Sequence, residues 1–241
     1  MNLRYRKYAP LSIAMPACLI SNLALADGAT IDKIYHPYVD ALEHELEYRV
    51  LVQDEQSDRF SPAQIHKLSL GTSIGERWFG EVYLVGEKSR AGNFDIDTYE
   101  IELKRQLTEQ GEYFADWGLI FEYETVAGED IDEFTVGLLS EKELGRWSGT
   151  ANLFLTREWG DDIVDEFESV FALQARYRYS ALFEPGIEFY TGQTATGIGP
   201  FLQGTINTGI RKNLHWEAGL LLGMDHKSPD QSFRFLVEFE F

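Results

Sequence analysis

The chain has 241 residues, of which 40 are Asp or Glu and 21 are Lys or Arg, giving a formal net charge of −19. This excess of negative charge argues against binding nucleic acid and against attraction to anionic lipid headgroups, because both are themselves negative. A single cysteine excludes a disulfide framework within the chain. The mean hydropathy of −0.26 fits a soluble protein and equally a barrel whose strands are half polar.

Residues 1–26 have the three regions of a secretory signal peptide. An apolar stretch, Leu11–Leu23, follows a basic start, and the small-residue motif Ala24–Ala26 then provides a cleavage site. Pro16 interrupts the stretch, which is too short for a spanning helix. A lipoprotein anchored through Cys18 fits less well, because the apolar run continues past the cysteine. The basic residues are Arg4, Arg6 and Lys7.

Beyond the predicted cleavage site the chain consists of short strand-like runs separated by turn-rich breaks. We predict about twelve strands within residues 42–241, and we assign residues 27–41 to a short periplasmic lead-in. An even number of strands places both ends of a barrel on the periplasmic side, with tight turns there and longer, more acidic outer connections. In chain order the predicted strands are Leu42–Gln53, Ile65–Ile74, Trp78–Gly86, Phe94–Leu107, Tyr113–Glu124, Asp132–Ser140, Trp147–Glu158, Phe167–Tyr179, Phe183–Thr191, Pro200–Thr208, Leu214–Gly223 and Phe233–Phe241.

The last ten residues, SFRFLVEFEF, alternate between an apolar face and a charged face, with Leu236 as the exception. A strand of this pattern that closes on Phe241 resembles the assembly signal of bacterial outer-membrane β-barrels. The resemblance implies an all-β fold, a single antiparallel up-and-down barrel in the outer membrane. It also implies contact with membrane lipid and lipopolysaccharide, and with the assembly machinery through the last strand. The apolar face carries Phe233, Phe235, Val237, Phe239 and Phe241, and the charged face carries Arg234, Glu238 and Glu240.

A soluble β-sandwich or a lipocalin-like barrel would also alternate, but its apolar face would point inward. Alternation alone does not distinguish the two arrangements. The predicted signal peptide, the strand ending in Phe241 and the contrast in loop length favour the membrane barrel. Tryptophans near the predicted periplasmic strand ends (Trp78, Trp147 and Trp216) are also typical of an interfacial aromatic girdle.

The predicted lumen is crowded with charge, and the antiparallel strand order indicates two groupings. The hairpin of the eighth and ninth strands would bring Arg176 and Arg178 near Glu184 and Glu188, where opposite charges stabilise the pairing. Closure of the barrel would set the last strand beside the first and bring like charges together at the seam. The seam carboxylates are Glu43, Glu45, Glu47, Glu238 and Glu240, and the remaining candidates for setting selectivity are Arg49, Glu100, Glu102 and Glu217.

Two interpretations of the seam remain open. It is either a cation-attracting constriction or divalent-ion site, or an ordinary hydrated wall whose charges balance across the lumen. The second interpretation is favoured, because polar interiors are normal in such barrels. We therefore expect no bound metal and no cofactor.

Enzymatic function needs a nucleophile beside an oriented base, and no Ser or Thr has an obvious His partner in the sequence. By parity His44 and His66 should point outward, whereas His215 should point inward near Glu217. No HExxH, CxxC or glycine-rich phosphate loop is present in the sequence. These observations favour a protein that is not an enzyme, although a lipid-modifying barrel enzyme remains an alternative.

The pattern of the whole chain is loosely similar to small outer-membrane transporters grouped with phenol-degradation meta-pathway proteins, and we carry over no residue from them. The similarity and the acidic lumen predict a narrow passive channel or transporter for small solutes, with a preference for cations or neutral molecules. A closed structural or adhesive barrel is the other alternative, because twelve strands lie between the filled eight-stranded barrels and the water-filled sixteen-stranded ones.

Overall fold

A computed structural model describes residues 31–54, 62–89, 94–161 and 163–241. Its twelve strands form one closed antiparallel barrel, in which each strand pairs with its neighbours in the chain and the last pairs with the first. The predicted fold class and strand order are confirmed, and the predicted signal peptide lies outside the described residues. The strands are β1 His44–Asp54, β2 Pro62–Ile74, β3 Trp78–Ser89, β4 Phe94–Gln106, β5 Asp116–Val126, β6 Ile131–Leu144, β7 Trp147–Gly160, β8 Glu166–Tyr177, β9 Glu184–Thr191, β10 Thr196–Gly209, β11 Lys212–Gly223 and β12 Gln231–Glu240.

The two faces of the wall have opposite character. In β1 the charged side chains of Glu45, Glu47 and Arg49 are buried, whereas Leu46 and Tyr48 are exposed on the outside. The same alternation exposes large apolar side chains on the outer face of the other strands. A lipocalin-like barrel would hide its apolar face instead. The fold is therefore that of a transmembrane β-barrel, in which closure leaves no open sheet edge and the apolar exterior suits lipid.

Glycine backbone conformation sets the tight turns at one rim. Gly75 begins the short turn between β2 and β3 with a φ of 75°, and Gly145 begins the turn between β6 and β7 with a φ of 65°. These left-handed conformations are accessible to glycine without steric cost. Within the described part of the chain, no helix is long and apolar enough to cross a membrane.

The start of β5 differs from its predicted position. The sequence indicated a strand from Tyr113, whereas the observed strand begins at Asp116. The reason is a turn at Gly111, whose backbone N–H donates a hydrogen bond of 2.7 Å to the Asp116 carboxylate. This local bond holds the intervening residues in a loop, so that apolar alternation there does not produce a strand.

Closure of the barrel has a definite register. Glu45 of β1 lies opposite Glu240 of β12, and Glu47 lies opposite Glu238. The expected meeting of carboxylates at the seam therefore occurs, because strand pairing fixes which inward side chains become neighbours.

The exposed apolar face of the wall leads to a testable prediction about the stability of the barrel. Ile101 is 58% exposed near the middle of β4, so Ile101→Arg places a charge in lipid at mid-depth. We expect a loss of about 2–4 kcal/mol in the free energy of unfolding, because a lipid-facing arginine at the midplane costs that much. Urea titration of the protein folded in phospholipid vesicles measures the change. Ile210→Arg, in the turn between β10 and β11, is the control, and equal losses for both variants would contradict a lipid-facing wall.

Candidate functional site

The stretch before β1 lies inside the barrel, and we call residues 31–39 the luminal segment. It bonds to strands on opposite sides of the wall, which only a chain running through the lumen can reach. The sequence placed residues 27–41 in the periplasm as a lead-in, and the structure differs for the part of that stretch it describes. The strands that hydrogen bond to the luminal segment are β1, β2, β3, β4, β5, β6, β7, β9 and β12.

Asp32 joins the luminal segment to basic side chains of three strands. Its carboxylate pairs with Arg49 of β1 and with Lys67 of β2, the latter at 3.3 Å. Its backbone oxygen accepts a hydrogen bond from Arg234 of β12 and another, of 2.7 Å, from the Tyr190 hydroxyl of β9. Charge-assisted hydrogen bonds are stronger than neutral ones, especially where water is excluded. Asp32 therefore holds the start of the segment firmly against the wall.

Side-chain amides satisfy the backbone of the luminal segment. Asn152 of β7, which is fully buried, accepts a hydrogen bond from the Tyr35 N–H at 2.7 Å and donates one to the Tyr35 carbonyl at 2.9 Å. Gln106 of β4 accepts a further bond from the Val39 N–H at 2.9 Å. A buried backbone group without a partner is costly, so these amides allow a chain without strand pairing to run through the lumen.

Further polar contacts come from the side chains of the luminal segment. Lys33 Nζ donates to Glu47 Oε2 at 2.7 Å. The Tyr38 hydroxyl donates to Asp116 Oδ2 at 2.8 Å, close to the rim at which β5 begins. The segment is thus bonded to the wall along its length and not at one end alone.

Glu141 of β6 contacts both the luminal segment and side chains of neighbouring strands. One of its oxygens lies 2.5 Å from His36 Nδ1, and the other accepts a hydrogen bond of 2.5 Å from Ser148. Arg176 lies 3.5 Å from this carboxylate and 3.2 Å from that of Glu184. The predicted contact of Arg176 with Glu184 is therefore present, and Glu141 links it to the segment.

Apolar side chains of the luminal segment pack against an inward-facing apolar belt. Tyr35 contacts Ile120, Leu139 and the edge of the Phe154 ring, with ring centroids 5.9 Å apart. Ile31 and Ile34 belong to a second buried cluster. This cluster also contains Leu51, Ile65, Tyr83, Val85, Ala172, Tyr190 and Leu221. Burial of these side chains favours the docked segment by the hydrophobic effect.

The other predicted arginine–glutamate contacts are formed with different partners. Arg178 was expected near Glu184 and Glu188, but it pairs with Glu143 of β6. Glu188 is bound instead by Arg234, whose Nη2 lies 2.7 and 2.9 Å from the two carboxylate oxygens and 3.4 Å from Glu217. Two strands separate β9 from β12, so these long side chains reach across the lumen and not along the hairpin.

Two rows of carboxylates extend along the inner wall from one rim to the other. Each row consists of residues that lie directly opposite one another in successive neighbouring strands. Because the strands of a barrel tilt relative to its axis, such a row also advances along that axis. The first row contains Glu240, Glu45, Glu81, Glu102, Glu122 and Glu168, with glycine or threonine at its other positions. The second row contains Glu238, Glu47, Glu100, Glu124, Glu133, Glu158 and Glu166, with Ser69 and Tyr83 between Glu47 and Glu100.

A cavity of about 150 Å³ lies between the luminal segment and the rim at which β1 ends, which is the predicted outer rim. Its floor is formed by Asp32, Lys33 and Tyr35, and its wall includes carboxylates of both rows. The acidic wall residues are Glu87, Glu100, Glu122, Glu124, Glu133 and Glu168. This cavity is therefore an acidic pocket that ends on the luminal segment.

The sequence candidates fall into three sets in the structure. Glu43, Glu238 and Glu240 lie together, with carboxylate oxygens within 4.8 Å of one another, as the closure of the barrel requires. Glu45, Glu47, Glu100 and Glu102 are members of the carboxylate rows. The arginines and the remaining glutamates form ion pairs, and these residues are Arg49, Arg176, Arg178, Glu184, Glu188 and Glu217.

His215 has a hydroxyl partner that sequence reasoning missed. Its Nδ1 lies 3.2 Å from Thr205 Oγ1, and its Nε2 lies 3.1 Å from Glu217 Oε1. Thr205 and His215 lie directly opposite each other in the β10–β11 pairing. This proximity cannot be recognised from the sequence when the strand register is unknown. All three side chains face the lumen, away from surrounding lipid, and Glu217 also binds Arg234. Thr205, His215, Glu217 and Arg234 thus form one connected polar network.

The luminal segment is the main feature that sequence reasoning missed. One signal was present, since Ile31, Ile34, Tyr35 and Tyr38 make the segment more apolar than a solvated linker needs to be. Glu81 was also missed, because the inner face of β3 carries Phe79, which obscures the polar alternation.

Comparisons with known proteins support the fold. No family model and no curated protein matches the chain. An outer membrane channel from Pseudomonas putida F1 is 14% identical, with a TM-score of 0.59 over 89% of this chain and 98% of that one. The translocator domain of the autotransporter NalP from Neisseria meningitidis is 10% identical, with a TM-score of 0.52 over 84% of this chain and 88% of that one.

A third similar structure is the KdgM porin in complex with disordered oligogalacturonate. It is 10% identical, with a TM-score of 0.50 over 82% of this chain and 98% of that one. At such identities the similarity shows the fold, which these barrels share. The resemblance to phenol-degradation transporters stays a prediction.

The amide contacts of the luminal segment can be tested directly. Asn152→Ala removes both bonds to the Tyr35 backbone, and leaving buried groups unpaired costs about 1–3 kcal/mol. We expect the Tyr35 amide to exchange with deuterium at least about fivefold faster, because a coupling of 1 kcal/mol corresponds to that factor. The control is Asn213→Ala, which removes a bond to Glu240 at the rim. Unchanged exchange at Tyr35 in Asn152→Ala would show that the segment does not depend on this contact.

Proposed function

We propose that this protein is a passive channel of the bacterial outer membrane for small cationic or neutral solutes, closed in this structure by its own luminal segment. The observation that carries the proposal is the pair of carboxylate rows that joins the two rims. Neighbouring strands lie about 4.8 Å apart, and a cation moving along the nine strands of a row would meet a carboxylate on six of them in the first row and on seven in the second. A lumen lined by one sign of charge concentrates ions of the opposite sign.

The outer membrane is the location that this proposal requires. An apolar exterior and a closed strand wall suit a bilayer, and the similar solved structures include a channel described as an outer membrane protein. Lipid and lipopolysaccharide would then contact the exposed apolar belt. Recognition of the Phe241 strand by the assembly machinery is part of the same proposal.

The luminal segment explains how the channel would close. It crosses the lumen between the acidic pocket and the seam carboxylates, and it fills the apolar belt with Ile31, Ile34 and Tyr35. Solute entering from the outer rim would therefore stop at the segment. Conduction requires that the segment move or leave.

Withdrawal of the luminal segment would leave the wall charges paired. Besides Asp32, Arg49 contacts Glu47 at 3.2 Å and Lys67 contacts Glu100 at 2.9 Å. Arg234 likewise keeps its contacts with the wall carboxylate of Glu188. Breaking a buried ion pair is expensive chiefly when one charge is left alone. The wall thus provides a second partner for each of these basic side chains, which makes a reversible closure feasible.

The occupied lumen also favours a second candidate, a closed structural barrel that never conducts. Buried ion pairs and packed apolar side chains would then serve stability alone. Electrical recording separates the two candidates, because a structural barrel stays silent even when contacts of the luminal segment are removed.

We predict that Asp32→Ala opens the channel. The substitution removes the carboxylate bonds to Arg49 and Lys67, and a hydrogen bond to a charged group contributes about 1.5–3 kcal/mol. We expect the open fraction in planar-bilayer recordings to rise by about tenfold or more over wild type, because 1.4 kcal/mol corresponds to that factor.

The control for Asp32→Ala is Asp225→Ala, which removes an exposed loop carboxylate that contacts Ser228. Heat-modifiable gel mobility should show that all three proteins are folded barrels. Silence of folded Asp32→Ala would refute the channel and support the structural barrel.

Selectivity provides a separate prediction. In the Asp32→Ala background, we expect a reversal potential on the cation-selective side under a salt gradient. Adding Glu133→Gln, in the wall of the acidic pocket, should reduce the cation preference because it removes charge from the second row. Adding Asp225→Asn, in an outer loop, should change it less. Equal effects of the two substitutions would place selectivity outside the lumen.

A further inference from the structure

Four carboxylates of the first row lie on strands β1, β3, β4 and β5 without intervening basic side chains. Glu45 and Glu81 flank Gly71 in the register, Glu81 lies directly opposite Glu102, and Glu102 lies opposite Glu122. With Glu47 and Glu100 of the second row they form two groups. Within each group, Glu45–Glu47–Glu81 and Glu100–Glu102–Glu122, carboxylate oxygens come within 4.8 Å of one another.

Of the four nearby basic groups, three bind the second row, and the fourth, Lys104, lies over the Phe79 ring with its Nζ 5.3 Å from the ring centroid. Lys33 and Arg49 bind Glu47, and Lys67 binds Glu100. Among the described side chains, no Lys, Arg or His nitrogen lies within 4.0 Å of Glu45, Glu81, Glu102 or Glu122. Glu81 accepts a hydrogen bond of 2.5 Å from Ser69, which is a neutral donor. Like charges this close repel strongly in a partly desolvated lumen unless something positive lies between them.

A second observation indicates that something is bound there. Glu45 and Glu102 are 7% and 2% exposed, and each has a buried carboxylate oxygen with no hydrogen-bond partner among the described groups. A buried polar atom without a partner is rare and costly in a folded protein. The first group has a second such oxygen on Glu47, which is also buried, so each group has at least one oxygen available to a cation.

We propose that these two groups bind divalent cations of the Ca²⁺ and Mg²⁺ class, one on each side of the Glu81–Glu102 pair. The donor set consists of carboxylate oxygens alone, which hard cations prefer, and it offers neither the imidazole nor the thiolate that softer metals select. Ca²⁺ suits it better than Mg²⁺, because Ca²⁺ accepts irregular oxygen shells and bidentate carboxylates. A bound cation would cross-link β1 to β3 and β4 to β5 from inside the barrel.

The site can be tested without any assumption about conduction. The full-length protein, purified in detergent and treated with a chelator, is titrated with CaCl₂ and then with MgCl₂ in a calorimeter. We expect saturable Ca²⁺ binding to the wild type, with weaker Mg²⁺ binding. Glu45→Gln and Glu102→Gln should each weaken Ca²⁺ binding by about tenfold or more, since affinity follows the number of charged ligands. Glu158→Gln, a buried carboxylate of the second row outside both groups, should bind as wild type does.

A second readout guards against misfolding of the variants. Tyr83 lies between Ser69 and Glu100 in the register, close enough to both groups to sensitise bound Tb³⁺. We expect tyrosine-excited Tb³⁺ emission that Ca²⁺ displaces and that falls in Tyr83→Phe. Absence of saturable Ca²⁺ binding to the folded wild type, or equal binding to folded Glu45→Gln/Glu102→Gln, would overturn the proposal and indicate carboxylates that share protons. A silent bilayer with folded Asp32→Ala, together with normal Ca²⁺ binding, would refute the channel and leave this site standing.

Discussion

The need to compensate charge inside a narrow, partly dehydrated lumen governs this structure. Asp32 shows the constraint most directly, because the Arg49, Lys67 and Arg234 side chains converge on it from three strands. Without such convergence a chain carrying charged residues could not lie inside the wall. The path of the luminal segment follows from these contacts together with the amides that satisfy its backbone.

The barrel itself was predictable, because its signal is local. Polar and apolar residues alternate with a period of two wherever a strand has one face towards a polar environment and the other towards an apolar one. The strands β1 and β12 show this alternation clearly. The seam could be predicted as well, since an even antiparallel barrel must place its last strand beside its first. Which face meets lipid depended on indirect signals, and the exposure of residues such as Ile101 and Leu155 establishes it in the structure.

The candidate site was only partly predictable, because a local sequence pattern does not show how far a side chain extends across the lumen or how the strands tilt. Arg176 and Glu184 are near each other in the chain and do pair, whereas Arg234 binds Glu188 across two intervening strands. The luminal segment had no periodicity to reveal it. Its position depends on long-range partners such as Asn152, more than one hundred residues away in the chain.

Charge balance links closure to selectivity. Asp32 and Lys33 carry opposite formal charges and bind different wall partners, so together they add no net formal charge to the lumen when the luminal segment docks. The carboxylate rows therefore keep their excess negative charge whether the segment is docked or withdrawn. Closure then works by filling space and not by neutralising the path. Cations retained by Glu45 and Glu102 would lower the repulsion within the rows in both states, which allows an acidic wall to coexist with a stable barrel.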